Sequence, residues 1–332
     1  MKHTEIPTAD DLARQVFSVT NEKEFEQIAL SIFSFQYQHN NIYRDYCTAV
    51  RKTPETVKTF SQIPFLPISF FKTHTVKTGS FVEEAVFKSS GTTGTLSSCH
   101  FVKSLAVYEE SFLRCFEQFY GSPESYCILG LLPSYLEQGA SSLVYMVDVL
   151  VKRSAHPQSG FYLYDFAKLQ QTLKQLESEG QLTILFGVTF ALLDFAEQGG
   201  MPLKHTILME TGGMKGRKKE LSKPALYEAL QTAFSADTIH SEYGMTELLS
   251  QAYAKNGRYQ CPAWMKIVLR DETDPFSVGH SSGAINVIDL ANIWSCSFIA
   301  TEDLGKLHDN GSFEVLGRMD NTDIRGCSQM AL

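Results

Sequence analysis

The sequence predicts an α/β protein in which mostly parallel, layered sheets with flanking helices are followed by a smaller β-rich part. Three observations predict this fold class. The first eighty residues have a helical pattern and many aromatic side chains. Between about residues 100 and 240, short apolar runs alternate with helical segments, and after residue 255 the helices give way to short strands and turns. Strands separated by helices of roughly ten to fifteen residues indicate βαβ units and a largely parallel sheet.

We accordingly predict three parts. Residues 1–60 form a helical N-terminal segment packed on the core, residues 61–255 form the α/β core, and residues 256–332 form a β-rich subdomain ending in a short cysteine-bearing tail. In the first part, NEKEFEQIALSIFSFQYQ predicts a helix with Asn21 as N-cap and Glu24 three residues later. Further along, the two prolines of IPFLPISFFK exclude a regular helix and indicate an extended segment.

The core contains the strongest strand and helix patterns. Asp165 is a suitable N-cap for one of its helices, which we expect to end at Gly180. In parallel sheets, ligands bind beyond the carboxyl ends of the strands, and this is where TGG and EYGMTE would lie. The predicted strands are SYCILGLLP, FYLY, LTILFGV, HTILMETGG and DTIHSEYGMTE, and the predicted helices between them are SSLVYMVDVLVK, FAKLQQTLKQLESEG and TFALLDFAEQGG.

Composition excludes several classes of protein. A chain of 332 residues with 43% hydrophobic and 20% charged residues has the profile of a globular protein. The net charge of −8 argues against a dedicated nucleic-acid binder. No apolar run is long enough for a membrane span, and the first residues lack the apolar core of a signal peptide. Seven cysteines without a CxxC pair argue against a zinc cluster or a disulfide scaffold, so we expect a cytoplasmic protein with reduced thiols.

One loop concentrates hydroxyl groups and backbone freedom. The stretch from Ser89 to Ser98 contains seven hydroxyl side chains and two glycines in ten positions, directly after the apolar Val86 and Phe87. Glycine allows backbone amides to point at an anion, and the hydroxyls add further donors. The loop lacks the GK[ST] ending of a Walker P-loop. Taken by itself, it fits a phosphate-binding loop and an exposed surface turn equally well.

Three further motifs carry groups suited to a nucleotide. Ser241–Glu247, SEYGMTE, offers an aromatic ring, a glycine turn, a hydroxyl donor and a carboxylate, which suit base stacking, phosphate binding and Mg²⁺ coordination. An ordinary loop with a half-buried tyrosine is the alternative. Thr301–Gly305, TEDLG, supplies a carboxylate for ribose hydroxyls, and Gly317–Asp320, GRMD, supplies a guanidinium for ribose or phosphate.

The motifs SSGTTG, EYGMTE, TEDLG and LGRMD together resemble, in order and spacing, the core motifs of acyl-adenylate-forming enzymes. This superfamily comprises acyl-CoA synthetases, adenylation domains and firefly luciferase. Within it, LLPSYLEQGASSLVYMV, METGGMKGR and RGCS resemble the acyl-protein synthetases, the long-chain-fatty-acid–protein ligases of bacterial luminescence. The resemblance implies the large N-terminal-type domain of these enzymes. Because the chain ends fourteen residues after Arg318, we expect the usual mobile C-terminal domain and its catalytic lysine to be absent.

The resemblance also implies ATP as substrate, Mg²⁺ as cofactor and a set of site residues. Glu247 would hold Mg²⁺, Thr246 would touch the α-phosphate, Asp303 would bind the ribose, and Arg318 would reach ribose or phosphate. The loop over the β- and γ-phosphates would comprise Ser89, Ser90, Gly91, Thr92, Thr93 and Gly94. Gly212 and Gly213 would border the adenine, and Tyr243 would stack on it. Three further residues would belong to the ATP-binding set, namely Glu242, Gly244 and Met245.

His100 and two cysteines are further candidate site residues outside the four motifs. The superfamily loop continues to a proline-lysine-glycine run, whereas here it reads TLSSCHF, so His100 either replaces the lysine near phosphate or is only a strand residue. In acyl-protein synthetases a cysteine near the C-terminus carries the acyl group as a thioester, and Cys327 matches it by position and by its RGCS context. Arg325 would favour the reactive thiolate. Cys99, beside the phosphate loop, is the second candidate thiol.

The implied activity is that of an acid–thiol ligase. A fatty acid, expected to be long-chain, would react with ATP to give acyl-AMP and pyrophosphate, and the acyl group would pass through Cys327 to a partner protein, with a reductase as one candidate. An acyl-CoA or carrier-protein ligase and a catalytically degenerate nucleotide-binding protein are the alternatives. GHSSG, Gly279–Gly283, matches the GxSxG elbow of hydrolases, but no helix is predicted after it, so a turn is the better interpretation.

Overall fold

A computed structural model describes residues 8–89, 96–132, 140–163, 165–212 and 221–319. The α-helices in these ranges are α1 (Ala9–Val16), α2 (Glu22–His39), α3 (Asn41–Ala49), α4 (Phe70–Thr73), α5 (Leu105–Tyr120), α6 (Ser142–Ser154), α7 (Phe166–Glu179), α8 (Thr189–Glu197) and α9 (Lys223–Phe234). The strands are β1 (Leu66–Pro67), β2 (Ala85–Lys88), β3 (Cys99–Val102), β4 (Cys127–Leu131), β5 (Gly160–Phe161), β6 (Thr183–Val188), β7 (Thr206–Thr211), β8 (His240–Tyr243), β9 (Ala252–Lys255), β10 (Arg258–Gln260), β11 (Met265–Arg270), β12 (Ser282–Asp289), β13 (Phe298–Leu307) and β14 (Phe313–Arg318).

The first half of the main sheet is parallel, in the order β5-β4-β6-β7-β8. Every residue of β4 is buried, as expected for a parallel strand that is covered on both faces. The predicted helix boundaries are confirmed at α7, where Asp165 Oδ1 accepts a hydrogen bond from Lys168 N at 2.9 Å and Gly180 ends the helix with φ +68°. The predicted α/β fold is therefore confirmed.

The second half of the same sheet is antiparallel. It continues from β8 through β9, β10, β14, β13 and β12 to β11, while β1 pairs in parallel with β13, so that the described residues contribute twelve strands to this sheet. Strands β2 and β3 form a separate antiparallel hairpin, and residues 90–95 between them lie outside the described ranges. The predicted boundary at residue 255 falls between the paired strands β9 and β10. The division into three parts stays a prediction.

The N-terminal helices pack against the antiparallel half. The expected N-cap of α2 is present, since Asn21 Oδ1 accepts a hydrogen bond from Glu24 N at 3.0 Å. On the same helix, the buried Gln36 donates through Nε2 to Asn292 O at 3.0 Å and accepts at Oε1 from Ser297 N at 3.0 Å. These bonds fix α2 to the connection between β12 and β13, which also lies beneath the candidate site.

Two sequence expectations concern segments away from that site. Ser281 of the GHSSG stretch is exposed and lies between β11 and β12, so it is followed by a strand instead of the helix that a nucleophile elbow requires. Within the described residues, no helix combines the length and the apolar character needed to cross a membrane.

Candidate active site

The EYGMTE segment leaves the carboxyl end of β8 through a tight turn at Gly244. A side chain could not replace this glycine without movement, because a Cβ there would lie 2.3 Å from Glu242 Oε1. The turn continues with a hydrogen bond from Leu248 N to Met245 O at 3.1 Å. Tyr243 thus ends a fully buried strand, and Thr246 and Glu247 follow at the carboxyl edge of the parallel sheet.

Two buried side chains hold the Thr246–Glu247 peptide in place. His100 Nδ1 lies 2.8 Å from Thr246 O, and Asn292 Nδ2 donates to Glu247 O at 2.8 Å. The two supports also contact each other, with His100 Nε2 3.0 Å from Asn292 Oδ1. Both side chains are almost completely buried. The backbone of the segment is therefore fixed by residues from β3 and from the β12–β13 connection.

These contacts bear on the two interpretations of His100, as a phosphate contact and as a strand residue. Burial lowers the pKa of its ring to about 4, which favours the neutral imidazole. Both ring nitrogens already face protein oxygens, so neither is free for a phosphate. The geometry favours the strand interpretation, in which His100 supports Thr246, and a phosphate contact of His100 stays a prediction.

Asp289 supports the residues that follow Glu247. Its buried carboxylate accepts hydrogen bonds from Leu249 N at 2.7 Å, Ser250 N at 3.0 Å and Ser250 Oγ at 2.6 Å. Sequence reasoning missed both Asp289 and Asn292, which lie in a stretch without a recognisable motif. Their hydrogen-bond partners between Glu247 and Ser250 lie 39 to 45 residues away along the chain.

Glu247 lies next to the root of the hydroxyl-rich loop. Burial raises the pKa of its carboxyl group, while a hydrogen bond with the Ser98 side chain and the positive charges of Lys72 and Arg318 lower it. Ser98 is in turn bonded to Ser89, with Ser89 N donating to Ser98 O at 3.1 Å and Ser98 N donating to Ser89 Oγ at 2.9 Å. The two ends of the loop are therefore closed beside this carboxylate.

The site fits a magnesium ion that is shared with a nucleotide. Glu247 provides one carboxylate that is 5% exposed. No cluster of three or more His, Cys, Asp or Glu residues suited to a metal occurs in the part of the chain that the structure describes. Mg²⁺ commonly binds through one or two carboxylates together with substrate phosphates and water. A single carboxylate beside the expected phosphate loop satisfies that pattern.

Tyr243, Asp303 and Arg318 come together across the β8 and β13–β14 strands. The Tyr243 hydroxyl donates to Asp303 Oδ2 at 2.9 Å, and Arg318 Nε lies 3.6 Å from Asp303 Oδ1. Asp303 and Arg318 are directly paired in the strand register, and Arg318 also contacts Glu302 at 3.2 Å. Burial raises the pKa of Asp303, whereas the tyrosine hydrogen bond and the Arg318 charge lower it. This carboxylate can accept hydrogen bonds from ribose hydroxyls.

The Tyr243 ring is held edge-on by two aromatic neighbours. Its centroid lies 5.5 Å from that of Phe313 and 5.9 Å from that of Tyr259, both in T-shaped contacts. Such contacts fix the plane of the ring. The stacking of Tyr243 on an adenine stays a prediction.

A second group of polar residues lies at the ends of β7 and β8. Gly212 has φ +75°, and its carbonyl oxygen lies 2.7 Å from Thr189 Oγ1. The Thr211 hydroxyl donates to Glu242 Oε2 at 2.5 Å. Burial raises the pKa of Glu242 to about 7, and the negative charge of Glu210 adds to this rise. The folded protein therefore favours the protonated form of Glu242 more strongly than the free side chain does.

Several predicted site residues cannot be placed, because Ser90 to Gly94, Gly213 and Cys327 lie outside the described residues. Of the two candidate thiols, Cys99 is described, and it is partly exposed on β3 next to the loop. The other placed residues form one continuous group. Arg318 connects its two sides, because it contacts Asp303 and its charge also acts on Glu247.

Comparison with known proteins agrees with this geometry. The model of the acyl-protein synthetase family LuxE matches residues 12–331, nearly the whole chain, and confirms the resemblance seen in the motifs. A search among curated proteins finds no match to this sequence.

Solved structures of adenylate-forming enzymes have a similar fold. ATP-bound MatB from Rhodopseudomonas palustris is 17% identical, with a TM-score of 0.53 over 84% of this chain and 58% of that chain. A double mutant of o-succinylbenzoate CoA synthetase (MenE) from Bacillus subtilis, bound to the product analogue OSB-NCoA, is 17% identical, with a TM-score of 0.50 over 70% of this chain and 48% of that chain. The chain thus spans about half the length of these proteins, and the likeness establishes the fold alone.

Proposed function

We propose that this chain, which belongs to the LuxE family of acyl-protein synthetases, activates a long-chain fatty acid with ATP and then transfers the acyl group to a protein cysteine. Membership of the family supports acyl activation by a ligase. The choice of a long-chain acid and of a protein thiol as acceptor follows from the family resemblance and from the sequence of the C-terminal tail.

The observation that best supports the first step is the position of Arg318. It contacts Asp303, the expected ribose ligand, and its charge also acts on Glu247, which lies beside the expected phosphate loop. A nucleotide bound between these groups would have its α-phosphate near Thr246 and Arg318. A guanidinium and a hydroxyl there would stabilise the charge that develops during attack at phosphorus.

The adenylation step needs no strong base from the protein. A fatty carboxylate is already ionised at neutral pH, and it attacks the α-phosphorus of ATP. A bond forms between a carboxylate oxygen and the α-phosphorus, which gives acyl-AMP, as the bond from that phosphorus to pyrophosphate breaks. Glu247 would hold Mg²⁺, which supplies charge neutralisation for the phosphate oxygens when it is bound. The buried His100–Asn292 pair keeps the Glu247 backbone fixed during this step.

The second step uses the sulfur of Cys327. The thiol loses its proton to solvent, the thiolate attacks the carbonyl carbon of acyl-AMP, and AMP leaves as the thioester forms. The RGCS context supports this role, and the family match extends to residue 331 and so includes this cysteine. An acceptor protein, with a reductase as one candidate, would then take the acyl group. Reduced thiols and an ATP supply fit a cytoplasmic location.

Intact-mass measurement tests the proposal. The protein is incubated with ATP, Mg²⁺ and a panel of fatty acids of increasing length. We expect the mass to rise by that of the fatty acid less one water, hydroxylamine to reverse the increase, and Cys327→Ser to abolish it. In that variant, acid-dependent exchange of pyrophosphate into ATP should persist. Cys99→Ser is the matched control, and loss of the label only in this variant would move the acyl site to Cys99.

An acyl-CoA or carrier-protein ligase is the competing function. It predicts exchange activity without stable label on the protein, and a product that forms only when coenzyme A or a carrier is added. A degenerate nucleotide-binding protein predicts ATP binding without exchange for any acid. The same set of incubations therefore separates all three functions.

A further inference from the structure

Strand β13 is irregular at the residues that carry the candidate ribose contact. Its pairing with β12 jumps from Ala300 to Leu304, and only Ile285 lies on the β12 side of this gap. The last of the three β13 residues in the gap is Asp303. A bulge of this kind interrupts the ladder of strand hydrogen bonds, and bulges often lie next to active sites, where they re-aim a side chain. On this side, therefore, groups other than the β12 ladder must hold Asp303.

A buried arginine from β11 reaches across β12 to the bulge. Arg270, which is 8% exposed, donates through Nη1 to Ile285 O at 3.0 Å and through Nη2 to Thr301 O at 2.7 Å. Nη1 also donates to Asn286 Oδ1 at 2.6 Å. The guanidinium thus joins β12 and β13 at the point where the ladder between them is interrupted.

The same set of hydrogen bonds extends to Asp303. The Thr301 hydroxyl donates to Ile285 O at 2.8 Å and accepts from Asp303 N at 3.1 Å. Arg270 therefore holds the Thr301 carbonyl, while the Thr301 side chain holds the Asp303 amide. A shift of Thr301 would carry the Asp303 carboxylate away from its present position beside the Tyr243 hydroxyl.

The partners of Arg270 are unusual for a buried cation. Its oxygen partners in the described residues are two backbone carbonyls and one side-chain amide, with no carboxylate among them. A buried charge is costly unless it is paired or well hydrogen-bonded, and here hydrogen bonds around one bulge take the place of an ion pair. The planar guanidinium donates in fixed directions to several acceptors at once, which suits a group that bridges two strands.

We propose that Arg270 is a positioning residue for nucleotide binding, which holds the β13 bulge so that Asp303 faces the ribose hydroxyls of ATP. This inference rests on the proposed function, because it assigns a support to the same adenylation site. Arg270 lies outside all four sequence motifs and acts through Thr301. Its loss should therefore weaken the ribose contact specifically, in addition to any effect on stability.

Calorimetric titration of the full chain with Mg²⁺-ATP and with Mg²⁺-2′,3′-dideoxy-ATP tests the assignment. The ratio of the two affinities measures the ribose contacts, because these nucleotides differ only in the ribose hydroxyls. We expect the wild type to bind ATP at least about tenfold more tightly, and Asp303→Ala to abolish this preference. Arg270→Met should reduce the preference to less than about threefold. Arg270→Lys, which keeps the charge without the planar fork, should lie between Arg270→Met and the wild type.

Leu173→Ala is the control for a general loss of stability. Leu173 is fully buried on α7, in a hydrophobic cluster formed by the parallel half of the sheet and its helices. Its truncation should lower the thermal unfolding temperature and leave the affinity ratio at the wild-type value. A role of Arg270 in stability alone would give the same result in Arg270→Met, namely a lower unfolding temperature with an unchanged ratio.

Each outcome is decisive. A folded Arg270→Met protein with the wild-type ratio would overturn the assignment, and if that variant does not fold, the same result in Arg270→Lys would do so. A wild type that binds both nucleotides equally would also overturn it, since there would be no ribose contact to position. A reduced ratio in the Arg270 variants, together with a wild type that shows no acid-dependent pyrophosphate exchange, would support the assignment while contradicting the proposed ligase activity. A wild type that binds neither nucleotide would contradict both.

Discussion

The two halves of the main sheet position their site residues in different ways. In the parallel half, Gly212 and the segment Tyr243–Glu247 come at or beyond strand ends. In the antiparallel half, Asp303 lies within β13 and Arg318 is the last residue of β14, and the two face each other in the register of these strands. The first arrangement relies on loop backbone, and the second relies on a ladder of strand hydrogen bonds.

This difference has an energetic consequence. A strand ladder sets the Cα positions of Asp303 and Arg318 by direct pairing, and the Tyr243 hydroxyl adds a hydrogen bond to the Asp303 side chain. The loop that carries Thr246 and Glu247 has no such ladder and depends on the buried polar side chains His100, Asn292 and Asp289. Substitutions in the parallel half should therefore act both directly and through these supports, whereas substitutions of Asp303 and Arg318 should act mainly through direct contacts.

The largest effect is expected at the loop carboxylate. Glu247→Gln removes the negative charge that would hold Mg²⁺, and we expect acid-dependent pyrophosphate exchange to fall by about two to three orders of magnitude. Excess Mg²⁺ should restore part of the activity. Glu228→Gln on α9, at an exposed glutamate, is the control. If Glu247→Gln kept more than half of the wild-type exchange rate, the Glu247 carboxylate would not be needed for the reaction.

The support beneath the loop should give the next largest effect. His100→Leu removes the single N–H of the neutral imidazole, which serves one of the two oxygens that its ring nitrogens face, Thr246 O and Asn292 Oδ1. A buried acceptor costs roughly 1–3 kcal/mol when it is unpaired, so we expect the free energy of unfolding in urea to fall by up to about 3 kcal/mol. His205→Leu, at an exposed histidine, should change it by less than about 0.5 kcal/mol. If His100→Leu were as stable as His205→Leu, the supporting role of His100 would be contradicted.

The parallel half also contains a titrating carboxyl group. The pKa of Glu242 is raised from 4.5 to about 7, so the group stays protonated in the folded state at pH values where it ionises in the unfolded chain. Its contribution to stability is complete below pH 4.5 and is lost as the pH rises towards about 7. Relative to Glu242→Gln, the wild type should lose roughly 2–3 kcal/mol of unfolding free energy between pH 4.5 and 8. Parallel pH profiles of the two proteins would contradict this assignment.

The contact between the two halves should give the smallest effect. In a double-mutant cycle with Tyr243→Phe and Asp303→Asn, we expect a coupling of about 1 kcal/mol in ATP binding, since the two side chains share one hydrogen bond. Strictly additive losses would mean that the hydrogen bond does not contribute to nucleotide binding, and the two halves would then act independently.

The sequence allowed prediction of those site residues that lie within short contiguous motifs. Tyr243, Glu247, Asp303 and Arg318 could be assigned because each stands in a stretch whose residue types suit a nucleotide. Asn292 could not, because its partner His100 is 192 residues away and nothing in ANIWSCS signals a function. The same long-range contact is what favours the strand interpretation of His100, for which the local sequence gives no preference.

The fold, too, could be predicted where the sequence pattern is local, and could not be predicted where strands far apart in the sequence pair. Alternating apolar strands and helices predicted the parallel half, because such a pattern is local. The continuation of that half into the antiparallel strands depends on the pairing of β10 with β14, in which Tyr259 faces Phe313. Local sequence patterns contain no information about pairing over such a separation, so a single sheet running through both halves could not be predicted.

The central claim is that the two halves of the sheet form one adenylation site. The most direct test is pyrophosphate exchange into ATP, measured with and without a panel of fatty acids, for the wild type, Glu247→Gln and Asp303→Asn. We predict exchange that requires an acid in the wild type, and that is strongly reduced by a change in either half. Exchange that is absent for every acid in a folded, ATP-binding protein, or unaffected by both substitutions, would contradict the claim.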